Sequence, residues 1–140
     1  MKIQLCDSNT KIQLCFDDTC ADCEETYTVT IDSGGTPQNG CDCSVAYGRS
    51  HTAYRLGGCE WRSDEWFVTG GITYLLSIWA VYEPGTNPLW HFYWLMTDQT
   101  NQQMACTGHA YMTYEPDHKG CPPGAYAPWN GQGDGTGTVA

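Results

Sequence analysis

The chain has 140 residues, 16 acidic against 6 basic, a net charge of −10, and 16% charged against 13% aromatic residues. A surface of that sign repels phosphate backbones and anionic headgroups, which sets aside nucleic acid and membrane surfaces as partners. The longest apolar stretch, Ile72–Tyr82, is about half the roughly 20 residues that a membrane-crossing helix needs, and Thr73 and Ser77 interrupt it.

This length suits one domain, 1–140, with a real core. Nine cysteines are the most informative feature: residues 6, 15, 20, 23, 41, 43, 59, 106 and 121. Such a density normally marks an oxidised, secreted domain or a metal-stapled one. The chain opens MKIQLCDSNTK, and its apolar start is stopped at Asp7, short of a signal sequence. The expectation is a protein made in the cytosol and used elsewhere, as a virion or exported surface assembly would be.

Helical periodicity is nearly absent, and Gly, Pro, Thr and Asn recur at intervals that predict an all-β domain of about nine or ten short strands, sandwich or jelly-roll-like. An N-terminal hairpin (2–16) is predicted from the repeat Lys2-Ile-Gln-Leu-Cys6 and Lys11-Ile-Gln-Leu-Cys15, joined by Asp7-Ser-Asn-Thr10. Thr26–Ile31 is the cleanest strand, with Tyr27, Val29 and Ile31 facing in and three threonines facing out. A weaker strand pair spans Ala46–Leu56 and breaks near Gly48. Cys59–Arg62 and Glu65–Val68 follow. Ile72–Tyr82 and Leu89–Met96, apolar on both faces, read as the central hairpin, joined by a loop with two prolines. Asp98–Cys106 reads as a polar loop, Ala110, Met112 and Tyr114 as one face of a further strand, and Gly135–Val139 as the last strand. Residues 120–140 form a Gly/Pro-rich C-terminal segment.

The sharpest metal pattern is Cys20-x2-Cys23 with Cys41-x-Cys43. Four thiolates so spaced could clasp zinc tetrahedrally, although the second gap is short for such a site. The spacing rules favour disulfides instead, and an odd total leaves one thiol over. No cofactor other than zinc enters the reading. A nucleophilic cysteine partnered by His51, His91, His109 or His118 has no local support, and Asp117-His118, flanked by Glu115 and Lys119, reads as a solvated loop. The acidic pairs Asp17-Asp18, Glu24-Glu25 and Asp64-Glu65 lack calcium-loop spacing. No phosphate loop, GxSxG elbow or HExxH helix occurs, so an enzyme is not expected.

Trp90, Phe92 and Trp94 share one side of their strand, with His91 and Tyr93 on the other. Exposed rings of this kind stack sugars, while a buried stripe would be a core layer. The core reading is favoured by the apolar neighbouring strand. Trp90 and Trp94, with Tyr126 and Trp129 in the C-terminal segment, are the candidate contact residues, for sister copies or for glycan.

The pattern Cys20-x2-Cys23-x3-Tyr27-Thr-Val-Thr30, Gly57-Gly-Cys-Glu-Trp61, Cys121-Pro-Pro-Gly and Gly135-Thr-Gly-Thr-Val139 is similar to small cysteine- and glycine-rich β-proteins of planctomycete genomes and of tailed-phage structural gene clusters. The resemblance covers most of the chain. It implies a non-enzymatic virion or surface component, and the expected role is a structural protein of a tailed-phage virion, a capsid decoration or tail-associated subunit, or another self-assembling surface protein, with homo-oligomeric contacts and other virion proteins as partners. A carbohydrate-binding module or cell-surface adhesion protein, extracellular in location, is the alternative, and a small zinc-stapled adaptor the second.

Overall fold

β-Branched residues alternating with threonine, and glycine at the turns, leave the chain little choice but strands. The structure, a computed structural model, describes residues 3–8 and 11–16 through their backbone, and residues 20–84, 89–113 and 120–140. Its strands are β1 (Ile3–Ser8), β2 (Lys11–Phe16), β3 (Thr26–Gly34), β4 (Thr36–Pro37), β5 (Ser50–Gly57), β6 (Glu60–Thr69), β7 (Ile72–Glu83), β8 (Leu89–Asp98), β9 (Gln103–Thr113), β10 (Gly124–Tyr126) and β11 (Gly135–Val139). β1 and β2 pair as the expected hairpin, with Cys6 opposite Gln13 and Cys15 opposite Gln4. The thiols of Cys6 and Cys15 lie outside the described side chains.

The other nine strands make a single antiparallel sheet in the order β10-β11-β3-β5-β6-β7-β8-β9-β4. Accumulated twist curls it into a half-barrel. Its far edges then meet: Tyr111 of β9 exchanges both backbone hydrogen bonds with Ala127, just past β10 (2.9 and 3.0 Å), and the Asp134 amide donates to His109 O (3.0 Å). An edge that would otherwise offer bare N–H and C=O groups is thereby covered. The all-β expectation holds, and nine of the eleven named strands form one curled sheet.

Three local readings are corrected. Residues 43–46 form a 3-10 turn capped by the Asp42 carboxylate, which accepts from the Ser44 amide at 2.9 Å, so the strand begins only at Ser50. β6 runs unbroken through Ser63 and Asp64, because all ten residues pair with β7. The polar loop shrinks to the turn after Asp98, whose carboxylate accepts from the Asn101 amide (2.9 Å) and its side chain (2.7 Å), and residues 103–106 already belong to β9. Polar residues mislead there because they sit at a strand's start and pair through backbone alone.

The core lies in the concave side. Tyr27, Val29 and Ile31 of β3 face it as expected, with Trp61, Leu76, Ile78, Trp90, Phe92, Trp94 and Met96. Rings touch in tilted pairs, Trp61–Trp90 at 5.9 Å and Phe92–Tyr126 at 5.4 Å between centroids. Such large side chains fit because glycine stands beside them on β9 and across from them on β11. A Cβ at Gly108 would stand 1.8 Å from the Trp94 ring, and one at Gly137 would stand 2.4 Å from Phe92.

Candidate functional site

The cysteines proposed for zinc are not brought together. Cys20 bonds Cys59, Cys23 bonds Cys121 and Cys43 bonds Cys106, while Cys41 is free. The CxxC pair is split between two distant partners and only Cys43 of the CxC pair is bonded, because both bends lie against parts of the chain that arrive later in sequence. Among the described residues no group of three or more His, Cys, Asp or Glu is placed to hold a metal ion. The disulfides bridge separations of 39, 98 and 63 residues, so each joins elements that local sequence cannot hold together. Arg55 seals the same end: its guanidinium donates to Cys20 O at 2.7 Å and to Gly58 O at 2.8 and 2.9 Å, and lies over Trp61. Burying the guanidinium requires that carbonyl set.

Of the four contact candidates, Trp90 (0% exposed), Trp94 (2%) and Tyr126 (1%) face the core, so they cannot stack on a sugar or a sister copy. The core-layer reading of the stripe is the correct one. Tyr126 donates its hydroxyl to Pro122 O at 2.6 Å, and burial pushes that phenol well up. Trp129 remains at the surface, 36% exposed, on a turn clasped by hydrogen bonds between Trp129 and Gln132.

The open apolar surface is instead on the convex side of β5 and β6, which the sequence reading did not single out. Tyr54 (61% exposed) and Leu56 project from β5, and Trp66 (62%) and Val68 from β6. Strand alternation puts each of them opposite to buried neighbours such as Ala53 and Trp61. Tyr54 is registered with Arg62 and Trp66 with Leu75. Arg62 and Asp64 pair at 2.7 Å between them, with Arg62 also lying over Trp79 and Asp64 accepting from Ser77 Oγ. The signal available in sequence was the period of two: Tyr54 and Leu56, like Trp66 and Val68, sit on the face that Ala53 and Trp61 do not.

Farther along the convex side, β8 and β9 place Tyr93 opposite His109 and His91 opposite Tyr111. The four rings form a checkerboard, with centroids of 4.2 Å for Tyr93–His109, 4.3 Å for His109–Tyr111 and 5.1 Å for His91–His109. A chain of polar contacts runs through it. His91 Nε2 meets the Glu83 carboxylate, His91 Nδ1 meets His109 Nε2 at 2.8 Å, and His109 Nδ1 meets the Tyr111 hydroxyl at 3.4 Å. Tyr111 also donates to Gln132 Oε1 at 3.3 Å. Burial, then the charge of His91, lowers the His109 pKa, with Asp134 pulling the other way. Burial, then Glu83 and Tyr111, raises that of Tyr93. The sequence carried the clue twice, as His91-Phe-Tyr93 and His109-Ala-Tyr111, since antiparallel pairing of two His-x-Tyr runs generates this square.

The remaining candidates lie apart. His51 is buried, its Nδ1 2.6 Å from the Glu65 carboxylate. His118, with Glu115, Asp117 and Lys119, lies outside the described residues, as do Asp17 and Asp18. The free Cys41 contacts Gln103 and Asn39 rather than a histidine. An open recess of about 420 Å3 beside the Asp98 turn is lined by Thr97, Asp98, Gln99, Gln102, Gln103 and Met104. No helix among the described residues is long and apolar enough to cross a membrane. No protein-family model, curated protein or solved structure matches this chain.

Proposed function

We propose that the protein is a non-enzymatic structural subunit that works by self-assembly, as a capsid-decoration or tail-associated component of a tailed-phage virion would. The observation that supports this most is the open convex surface of Tyr54, Leu56, Trp66 and Val68. Covering such a surface with a neighbouring copy or another virion protein gains about 25 cal/mol per Å2, and repetition in a lattice multiplies weak contacts. The three long-range disulfides support use outside a reducing compartment, on a particle or a cell surface. In this reading the two flanks of the curled sheet oppose one another as the layers of a sandwich or jelly-roll do.

One observation favours a second reading, a carbohydrate-binding or adhesion module. The exposed Tyr54 and Trp66 rings flank a polar Arg62–Asp64 pair, a combination that suits the faces and hydroxyls of a neutral glycan.

Native mass spectrometry and light scattering of the oxidised protein, beside the double variant Tyr54→Ser and Trp66→Ser, test the proposal. Concentration-dependent oligomers that the variant loses support assembly. A monomer at all concentrations up to hundreds of micromolar sinks it, and glycan affinity in that monomer, lost in the variant, establishes the second reading.

A further inference from the structure

The chain Glu83–His91–His109–Tyr111–Gln132 has an internal logic that assembly does not require. Each imidazole presents one nitrogen to each neighbour, so the protons between them must be ordered. In the neutral arrangement His91 Nε2–H donates to Glu83, His109 Nε2–H donates to His91 Nδ1, and His109 Nδ1 is left to accept from Tyr111. The Tyr111 hydroxyl then has one proton and two acceptors, His109 Nδ1 at 3.4 Å and Gln132 Oε1 at 3.3 Å. A second ring proton on His91 makes both its nitrogens donors. His109 Nε2, 2.8 Å away, must then accept: its proton passes across that contact to become the His91 Nδ1 proton, and the added proton is taken up from solvent at His109 Nδ1, a net gain of one. Nδ1–H donates to the Tyr111 oxygen, which frees the hydroxyl proton for Gln132 alone.

We propose that this chain is a one-proton relay, in which charge gained by the His91 ring that Glu83 holds is read at the Trp129 turn through a tautomer change of His109. The output is structural because Gln132 is clasped to Trp129 by two backbone hydrogen bonds of 2.9 and 3.0 Å. Acidification therefore tightens the turn that carries the exposed Trp129 ring. The charged and titratable neighbours fit this division of labour. β7 supplies the Glu83 carboxylate at the input, and β8 supplies His91 and Tyr93. β9 supplies His109 and Tyr111, and the last turn supplies Asp134, whose carboxylate accepts from the His109 amide at 2.9 Å. β6 supplies Arg62, held by Asp64. Burial, then His91, lowers the His109 pKa, which disfavours charge on that ring.

The test is long-range 1H–15N NMR of the histidine rings, from pH 8 to pH 5, on the intact oxidised protein. The relay requires His109 to pass from the Nε2–H to the Nδ1–H tautomer at the same pH at which His91 gains charge, with the Gln132 side-chain amide shifting in that step. Glu83→Gln, which removes the carboxylate at His91 Nε2, should change the pH at which the Gln132 response appears. Tyr111→Phe should leave the histidine step in place and abolish the Gln132 response. The inference is overturned if His109 keeps one tautomer throughout, or charges independently of His91. It is equally overturned if Gln132 still responds in Tyr111→Phe.

Discussion

The two faces of this sheet carry the same kinds of residue and obey different rules. On the concave face Trp61, Trp90, Phe92 and Trp94 are buried against one another and against glycine. On the convex face Tyr54 and Trp66 stand open, while His91, His109 and Tyr111 are linked by polar contacts and Tyr93 packs its ring on both histidines. Aromatic richness is thus not one property here. Inside it fills the core, while outside Tyr54 and Trp66 on β5 and β6 stand open and His91 and Tyr111 on β8 and β9 are buried.

Replacing one ring on each face separates these roles most sharply. Trp61→Ala removes a fully buried ring that packs on Tyr27 and Trp90 and donates to Glu24 O at 3.1 Å. It should cost about 3–5 kcal/mol in denaturant unfolding with the disulfides intact. Gly108→Ala attacks the same face from the glycine side, where a methyl meets the Trp94 ring, and should cost about 1–3 kcal/mol by the same measurement. Trp66→Ala on the convex face should stay within about 0.5 kcal/mol. A Trp66→Ala loss as large as that of Trp61→Ala would erase the distinction between the faces. The smallest effect belongs to His109. Its folded pKa lies below the ordinary 6.5, so the unfolded chain takes up the proton first as pH falls. The stability this neutral ring contributes is complete above about pH 6.5 and is lost as pH falls from there towards the lowered folded value. Unfolding free energy measured against pH should show that decline in the native protein and a shallower one in His109→Gln.

How far the site could be read in advance varied by residue for definite reasons. Thr26–Ile31 declared both its strand and its inner face, since alternation is a local property. The Trp90/Phe92/Trp94 stripe was correctly separated from His91 and Tyr93, but whether the stripe looked outward or inward depended on strands far away. Tyr54 and Trp66 were legible as strand residues and not as open ones, for the same reason. The CxxC and CxC pairs were misleading as a zinc clasp because their partners, Cys59, Cys121 and Cys106, are brought up by later strands.

Composition and periodicity by themselves determined an all-β chain, its long central strands, a strongly acidic net charge, and cysteines suited to cross-linking. These follow from side-chain chemistry and from the two-residue repeat of extended backbone. Only the tertiary structure decided which side chains are covered, which thiols meet, and that two His-x-Tyr runs stack into one cluster of rings threaded by hydrogen bonds through His91, His109 and Tyr111. Those outcomes rest on register and curl, and register is set by contacts between residues that the chain keeps far apart.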